Sequence, residues 1–348
     1  SLPGSPTRKP RMRVGLTYDL RDEYLAAGFS EVDTAEFDQP ETIDAIADAL
    51  ERQGLTVDRI GNAQQLTSRL AAGDRWDLVF NFCEGLYGFG RESLVPALLD
   101  AWQIPYVFSD PLACALTLHK GIAKHVVRDC GIATADFAVV ETPADIAQVG
   151  LRYPLFAKPV AEGTGKGISA ASRVDSPAGL ETVCLRLMGQ YRQPVLVEEF
   201  LPGREFTVGL IGTGPAAEAL GTMEVHLGPQ ADPGIYTFDN KAHWEGRVSY
   251  ALLTEAPLLQ AVEALAVRAW RALGCRDGGR LDIRLDAAGT PNFIEANPLA
   301  GLNPGHSDLP FICRFKGISF DELIRRIVAS ALSRCTQPAI SRPGTPSR

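Results

Sequence analysis

The chain has 348 residues, 45% of them hydrophobic, and a formal net charge of −8. That length allows two or three domains around buried cores. The acidic balance argues against a dedicated nucleic-acid binder, and no apolar run reaches the length of a membrane span. The basic start (Arg8, Lys9, Arg11) leads into no apolar leader segment. The seven cysteines (Cys83, Cys114, Cys130, Cys184, Cys275, Cys313, Cys335) are scattered, with no CxxC spacing, and the five histidines form no HxH or HxxxH pair. The expectation is reduced thiols in a cytoplasmic protein, without a zinc site or disulfide frame. Both ends, 1–11 and 337–348, are rich in Pro, Ser and Gly and read as disordered tails.

From Arg13 the pattern alternates strand and helix. "RVGLTYD" is a short apolar strand, and "ETIDAIADALERQG" places Ile43, Ile46, Ala47 and Leu50 on one helical face before Gly54. "LTVDRI", "WDLVFNF" and "IPYVFSD" are further strands, with helices near 63–72 and 91–102. This alternation predicts a parallel sheet with right-handed crossovers. Ligands sit beyond the carboxyl ends of such strands, which draws attention to "YDLRDEY" and "CEGLYGFGRE". After the helix "TLHKGIAKHVVRDCG", the runs "FAVV", "PLFAKPV", "GISAASRV" and "PVLVEEFL" are strands, with helical segments near 143–149 and 176–189. "EFTVGLIG" is another strand, "APLLQAVEALAVRAWRALG" a long amphipathic helix, and "SFDELIRRIVASAL" a last helix.

The hairpin "GRLDIRLDAAGTPNFIEANP" gathers charge on one face. With a turn at 287–290, Asp286 pairs with Pro291, Asp282 with Glu295 and Arg280 with Asn297. Directly opposed residues share a face, so the four polar side chains form one patch. Two opposed carboxylates repel unless a cation lies between them. One reading is a solvated face, with Arg280 and Arg284 neutralising Asp282 and Asp286. The other is an oxygen-ligand site for Mg²⁺, which combines a few carboxylates with substrate phosphates. Upstream, "FAKPVAEGTGKGISA" is either a plain turn or an anion-wrapping glycine loop, flanked by Lys158 and Lys166. It is no Walker A loop, since Gly167 follows Lys166 where Ser or Thr should stand. "EEFLPGREF" carries Glu198 and Glu205 around a Pro-Gly turn.

In this order, the glycine loop, the "EEFLPGREF" connector and the hairpin ending "EANP" resemble the ATP-grasp superfamily. More narrowly, the chain from Arg13 to Leu332 resembles the D-alanine–D-alanine ligases, with a one-residue insertion after Gly301. The resemblance implies an α/β ATP-grasp fold: an N-terminal Rossmann-like parallel sheet (12–115) and two α+β domains (116–201 and 202–336) that sandwich ATP. It implies that Lys120 and Lys158 hold ATP phosphates under a closing loop of Glu162, Gly163, Thr164, Gly165, Lys166 and Gly167. Glu198, Glu199, Phe200 and Leu201 would line the adenine, Glu205 would take the ribose, and Lys241 would reach the γ-phosphate. Asp282, Glu295 and Asn297 would bind Mg²⁺, with Mn²⁺ as the alternative. Arg280 and the backbone of Gly301 would stabilise an oxyanion. Ser307, beside Asp308, would hold the carboxylate of the attacking amino acid. The expected activity is an ATP-dependent ligase joining two amino-acid-like substrates through an acyl phosphate, in a cytoplasmic homodimer without nucleic-acid or membrane partners.

The pattern departs from the family on the substrate side. The family's first-strand glutamate has no obvious counterpart, with Asp19, Asp22 and Glu23 as candidates beside Tyr18. Glu84-Gly85 stands for a His-Gly pair, Thr164-Gly165 for a serine pair, and Ala242 for a loop-clamping tyrosine. These departures predict retained nucleotide chemistry with a changed substrate pair. His306 and Trp244 are further lining candidates, and Cys83 is expected to pack rather than react. Two alternatives remain at this stage: a different nucleophile or an intramolecular cyclisation, and a non-catalytic nucleotide-binding protein.

Overall fold

The computed structural model describes residues 11–227 and 248–335. The first layer is a parallel sheet of β1 (Arg13–Tyr18), β2 (Thr56–Gly61), β3 (Leu78–Phe82) and β4 (Tyr106–Val107), in the order β2-β1-β3-β4. The helices α1 (Arg21–Ala26), α2 (Pro40–Arg52), α3 (Ala63–Ala71), α4 (Leu94–Ala101) and α5 (Pro111–Leu118) connect or follow these strands. Local chemistry starts several of them. Pro40 supplies the first turn of α2, and Asn62 and Gln65 cap α3 reciprocally. Asp110 accepts from the N–H of Ala113 at the head of α5. A cap of this kind contributes about 1 kcal/mol.

The helix α6 (Lys120–Asp129) leads to an antiparallel sheet of β5 (Phe137–Val140), β6 (Leu155–Pro159), β7 (Arg173–Val174) and β8 (Val195–Glu199). Its order is β5-β8-β6-β7, and α7 (Pro177–Tyr191) covers it. The third sheet contains β9 (Glu205–Ile211), β10 (Glu218–Leu227), β11 (Val248–Leu252), β12 (Gly278–Leu285) and β13 (Pro291–Asn297), in the order β11-β10-β9-β12-β13. Against it lie α8 (Ala256–Ala272), α9 (Asp308–Phe315) and α10 (Phe320–Cys335).

Several expectations need correction. Of "GISAASRV" only Arg173–Val174 is strand, because a single 3₁₀ turn at Ala170–Ser172 interrupts it. The helix expected near 143–149 is a 3₁₀ segment, Pro143–Gln148. β10, β11 and α9 were not anticipated. In β10 the buried Glu224 breaks the apolar pattern. Its carboxylate survives there because Arg204 donates two hydrogen bonds to it, each 2.7 Å. The hairpin also differs at its turn. Asp286 lies in the loop, accepting from the N–H groups of Ala288 and Thr290, and Leu285 faces Pro291. A bulge at Ile294, between Phe293 and Glu295, then restores the pairs Asp282–Glu295 and Arg280–Asn297. It also leaves Ile294 on the same side as Glu295, so both line one cleft.

The C-terminal helix returns to the first sheet. Leu323, Ile324, Ile327 and Val328 share a core with Val14, Leu16, Ile43, Ile46 and Phe80. The fully buried Asp277, at a left-handed φ of 65°, fixes this junction. Its carboxylate accepts from Phe108 N at 2.8 Å, Thr213 Oγ1 at 3.1 Å, Ser330 Oγ at 2.9 Å and Arg334 at 2.6 and 2.9 Å. Removing one partner of such a buried ion pair strands the other charge. We therefore expect Asp277→Ala to lower stability by roughly 3–5 kcal/mol in urea unfolding. Asp277→Asn, which tolerates the left-handed backbone, should lose less.

Candidate active site

Two cavities meet at the hairpin. The larger, about 670 Å³, is walled by the segment after β1 (Arg21, Glu31, Glu36), the segment after β3 (Glu84, Glu92), Lys120 and the residues following β13. The smaller, about 90 Å³, lies between the second and third sheets and is lined by Phe156, Lys158, Ile168, Glu198 to Leu201, Glu205, Asp282, Arg284 and Ile294. Glu295 lines both.

At the meeting point the strand pairing forces Asp282 and Glu295 face to face. Cations answer the repulsion. Arg280 pairs with Asp282, and Thr207 Oγ1 donates to Asp282 Oδ1 at 3.0 Å. Lys120, first residue of α6, lies 3.3 Å from Glu295 and donates to the Glu162 carbonyl at 2.6 Å. Burial works against the charge of Arg280, but Asp282, Asp308 and Glu295 outweigh it and raise its pKa. Asp282, Glu295 and the adjacent Asn297 offer the hard oxygen donors that suit Mg²⁺.

The smaller cavity carries a second buried charge cluster. Glu198 lies 2.6 Å from Lys124 and 2.9 Å from Lys158. Burial alone would raise its pKa, yet the two lysines hold it down to about 2. Lys124 had no assigned role in the sequence, and it seats Glu198 while donating to Thr134 Oγ1 at 2.6 Å. Glu205, at the cleft edge, pairs with Arg284 at 3.3 Å.

The glycine loop is closed. Gly163 N donates to Glu36 Oε1 at 2.9 Å, Lys166 Nζ sits 3.0 Å from the same oxygen, and Arg91 pairs with Glu36 at 3.4 Å. Arg91 also donates to the Ala161 carbonyl at 2.9 Å, and Gln193 Nε2 donates to Glu162 Oε1 at 2.7 Å. Thr164, Gly165 and Gly167 all have positive φ. A side chain at Gly167 would meet Pro159 Cγ at 2.5 Å, so the turn admits only glycine there. A glycine-rich loop alone predicts little order. Here Glu36, from the segment after β1, supplies the tie that orders it.

Of the residues singled out in the sequence, Glu84, Lys120, Glu162, Gly163, Thr164, Arg280, Glu295, Asn297, Gly301, Ser307, Asp308 and His306 line the larger cavity. Tyr18, Asp19 and Gly85 do not. Asp19 is buried, accepting from the Tyr24 hydroxyl and from Gly85 N at 2.9 Å, while Asp22 and Glu23 are exposed. The acids that reach the cavity from this segment are Glu31 and, tied into the glycine loop, Glu36. Nothing in "SEVDTAEFDQP" marks them beyond their place after a parallel strand. Gly301 packs tightly on Ser307, for a Cβ there would lie 2.8 Å from Ser307 Oγ. Ser307 Oγ itself accepts from Asn303 N at 3.0 Å. Cys83 is buried, which pushes its thiol well up. Lys241, Ala242 and Trp244 lie outside the described residues.

The family model for the D-ala D-ala ligase C-terminus matches residues 126–329. A D-alanine–D-alanine ligase of Bordetella petrii is 33% identical over 296 residues, covering 84% of this chain and 86% of that protein. Among solved structures, a D-alanine–D-alanine ligase from Bacillus anthracis complexed with ATP superposes with a TM-score of 0.71 at 19% identity, covering 94% of this chain and all of that one. The VanG D-Ala:D-Ser ligase of Enterococcus faecalis gives the same TM-score at 19% identity, covering 92% of this chain and all of that one.

Two outcomes follow for this geometry. Glu295→Gln should abolish turnover at saturating Mg²⁺–ATP while the melting temperature stays near wild type, because the patch carries little of the core. Glu36→Gln should expose the loop to protease between 161 and 168. The Glu36 charge is opposed by burial but held down to about 2 by Lys166 and Arg91, against an ordinary value of 4.5. A depressed carboxyl contributes stability above its unfolded value. The tie should therefore be complete above pH 4.5 and weaken as pH falls toward about 2, read as faster loop cleavage by an acid-active protease.

Proposed function

The chain belongs to the D-alanine–D-alanine ligase family of the ATP-grasp superfamily, and on that premise we propose an ATP-dependent carboxylate–amine ligase joining two amino-acid-like substrates. The observation that carries this reading is the shared wall at Glu295, where the nucleotide cleft opens onto the substrate cavity beside Lys120 and Arg280. The domains would divide near 115 and 201, with ATP between the second and third sheets.

In this reading the adenine lies against the backbone of Glu198, Glu199, Phe200 and Leu201, with Glu205 on the ribose. Lys120, Lys158 and Lys241 hold the phosphates, and the loop from Glu162 to Gly167 excludes water from the transfer. A substrate carboxylate oxygen attacks the γ-phosphorus and ADP departs, leaving an acyl phosphate. The second substrate's amine, its own carboxylate held at Ser307 and Asp308's helix start, attacks the acyl carbon. Arg280 and the Gly301 N–H receive the oxyanion, and phosphate leaves as the C–N bond is completed. Asp282, Glu295 and Asn297 would hold Mg²⁺ or Mn²⁺, which supplies charge neutralisation for the phosphates when bound. Catalysis of this kind depends on positioning and preorganised charge.

The acidic wall of the cavity, with Glu84 where the family pattern has histidine, supports a substrate pair other than two D-alanines. The protein would act as a homodimer, without nucleic-acid or membrane partners; among the described residues no helix is long and apolar enough to cross a membrane. An ¹⁸O-labelled substrate carboxylate tests the chemistry. We expect one labelled oxygen in the released phosphate for each amide formed. Unlabelled phosphate would refute the acyl-phosphate route.

A further inference from the structure

One end of the larger cavity has no role in the reaction outlined above. There the carboxylates of Glu36, Glu84 and Glu92 converge, with oxygens from all three within 4.8 Å of one another. Their positions are set by three different segments. Glu36 comes from the segment after β1, Glu84 from the end of β3, and Glu92 from the turn that opens α4. Glu36 is already satisfied by Gly163, Lys166 and Arg91. Glu84 and Glu92 are not: among the described residues neither accepts a hydrogen bond nor forms an ion pair, and Glu92 is only 8% exposed.

A carboxylate drawn out of bulk water without a donor is costly; Glu92 is buried and Glu84 half-buried, and both groups respond to it. Burial pushes Glu92 up to about 7, with Arg91 opposing and Glu36 adding to the rise. Burial, then Glu36 and Glu92, pushes Glu84 well above the carboxylate range. Both open into the cavity that holds Ser307 and Arg280. The arrangement lacks one thing, a cation delivered from the cavity side.

We propose that Glu84 and Glu92, backed by Glu36, form a subsite for a cationic side chain, so that one of the two joined substrates is a basic amino acid carrying an ammonium or guanidinium group. This rests on the ligase reading and narrows its substrate class. A metal ion fits less well. Glu36 has committed its oxygens to three donors, leaving two carboxylates where Mg²⁺ would want about six oxygen ligands. An ammonium or guanidinium needs only acceptors, and its charge-assisted hydrogen bonds are the strong kind.

The test supplies the full-length protein with Mg²⁺–ATP and matched amino acids of both configurations. Ornithine, lysine and arginine are compared with norvaline, norleucine and citrulline, each alone and paired with alanine, following ADP release and product mass. We expect kcat/KM for the cationic member of a pair to exceed that of its neutral counterpart by about tenfold or more, the scale of one charge-assisted contact. Glu84→Gln and Glu92→Gln should each move that ratio toward one, mainly through KM, while the Kd for ATP stays at the wild-type value. Equal use of neutral and cationic substrates would overturn the subsite and leave the ligase reading standing. So would a preference that survives both substitutions. ADP release with no amino acid at all would overturn both. Mn²⁺ titration without nucleotide gives the remaining arm: a bound ion lost in both variants, without a basic-substrate preference, would assign the cluster to a metal and reject the proposal.

Discussion

The site is organised around a repulsion. Register places Asp282 and Glu295 directly opposite on neighbouring strands, and like charges so placed destabilise a sheet. Arg280 relieves Asp282 from two residues away on the same strand, but Glu295 is met by Lys120 at the head of α6, from a different part of the chain. That single lysine also binds the carbonyl of Glu162 in the glycine loop. Hairpin, α6 and loop are therefore drawn to one point by the need to neutralise one carboxylate. In the proposed reaction it is the point assigned to the nucleotide's phosphates.

A second charge cluster closes the enclosure. Glu36 ties the glycine loop to the first sheet through Lys166 and Gly163, and Arg91 stands on its other oxygen. Buried pairs of this sort contribute little net stability once desolvation is counted, but they specify one arrangement among many. The arrangement specified here brings the ends of β1 and β3 against the loop. The cavity wall thereby acquires the acids Glu36, Glu84 and Glu92. Asp277 does the equivalent work at the far side, joining the first sheet, the third sheet and the C-terminal helix through one buried carboxylate.

Much of this was legible in the sequence because it follows from local periodicity. The parallel sheet came from strand–helix alternation, and the pairing of Asp282 with Glu295 from counting back along a hairpin. That pairing holds through compensation. The turn is one residue longer than expected because Asp286 folds it with its own side chain, and the bulge at Ile294 restores the register at the site. No pattern in "TPNFIEANP" announces that bulge. β10 was missed because Glu224 reads as solvent-facing until Arg204 is known to cover it. Glu36 was missed for the same reason in reverse. It sits in a polar segment that reads as an ordinary loop, and only the tertiary closure onto Lys166 buries it. Long-range charge pairing leaves no periodic trace in the sequence, so residues whose role depends on it, such as Glu36 and Lys124, are visible only in the folded chain.

ATP cleavage in this family is coupled to joining a carboxylate and an amine. The direct measurement is the stoichiometry of ADP to new amide when purified protein, Mg²⁺ and ATP are given a mixture of amino acids, with product mass read in the same samples. We expect one ADP for each amide and negligible ADP when amino acids are withheld. ADP accumulating at the same rate with and without amino acids, and no condensed product, would contradict it.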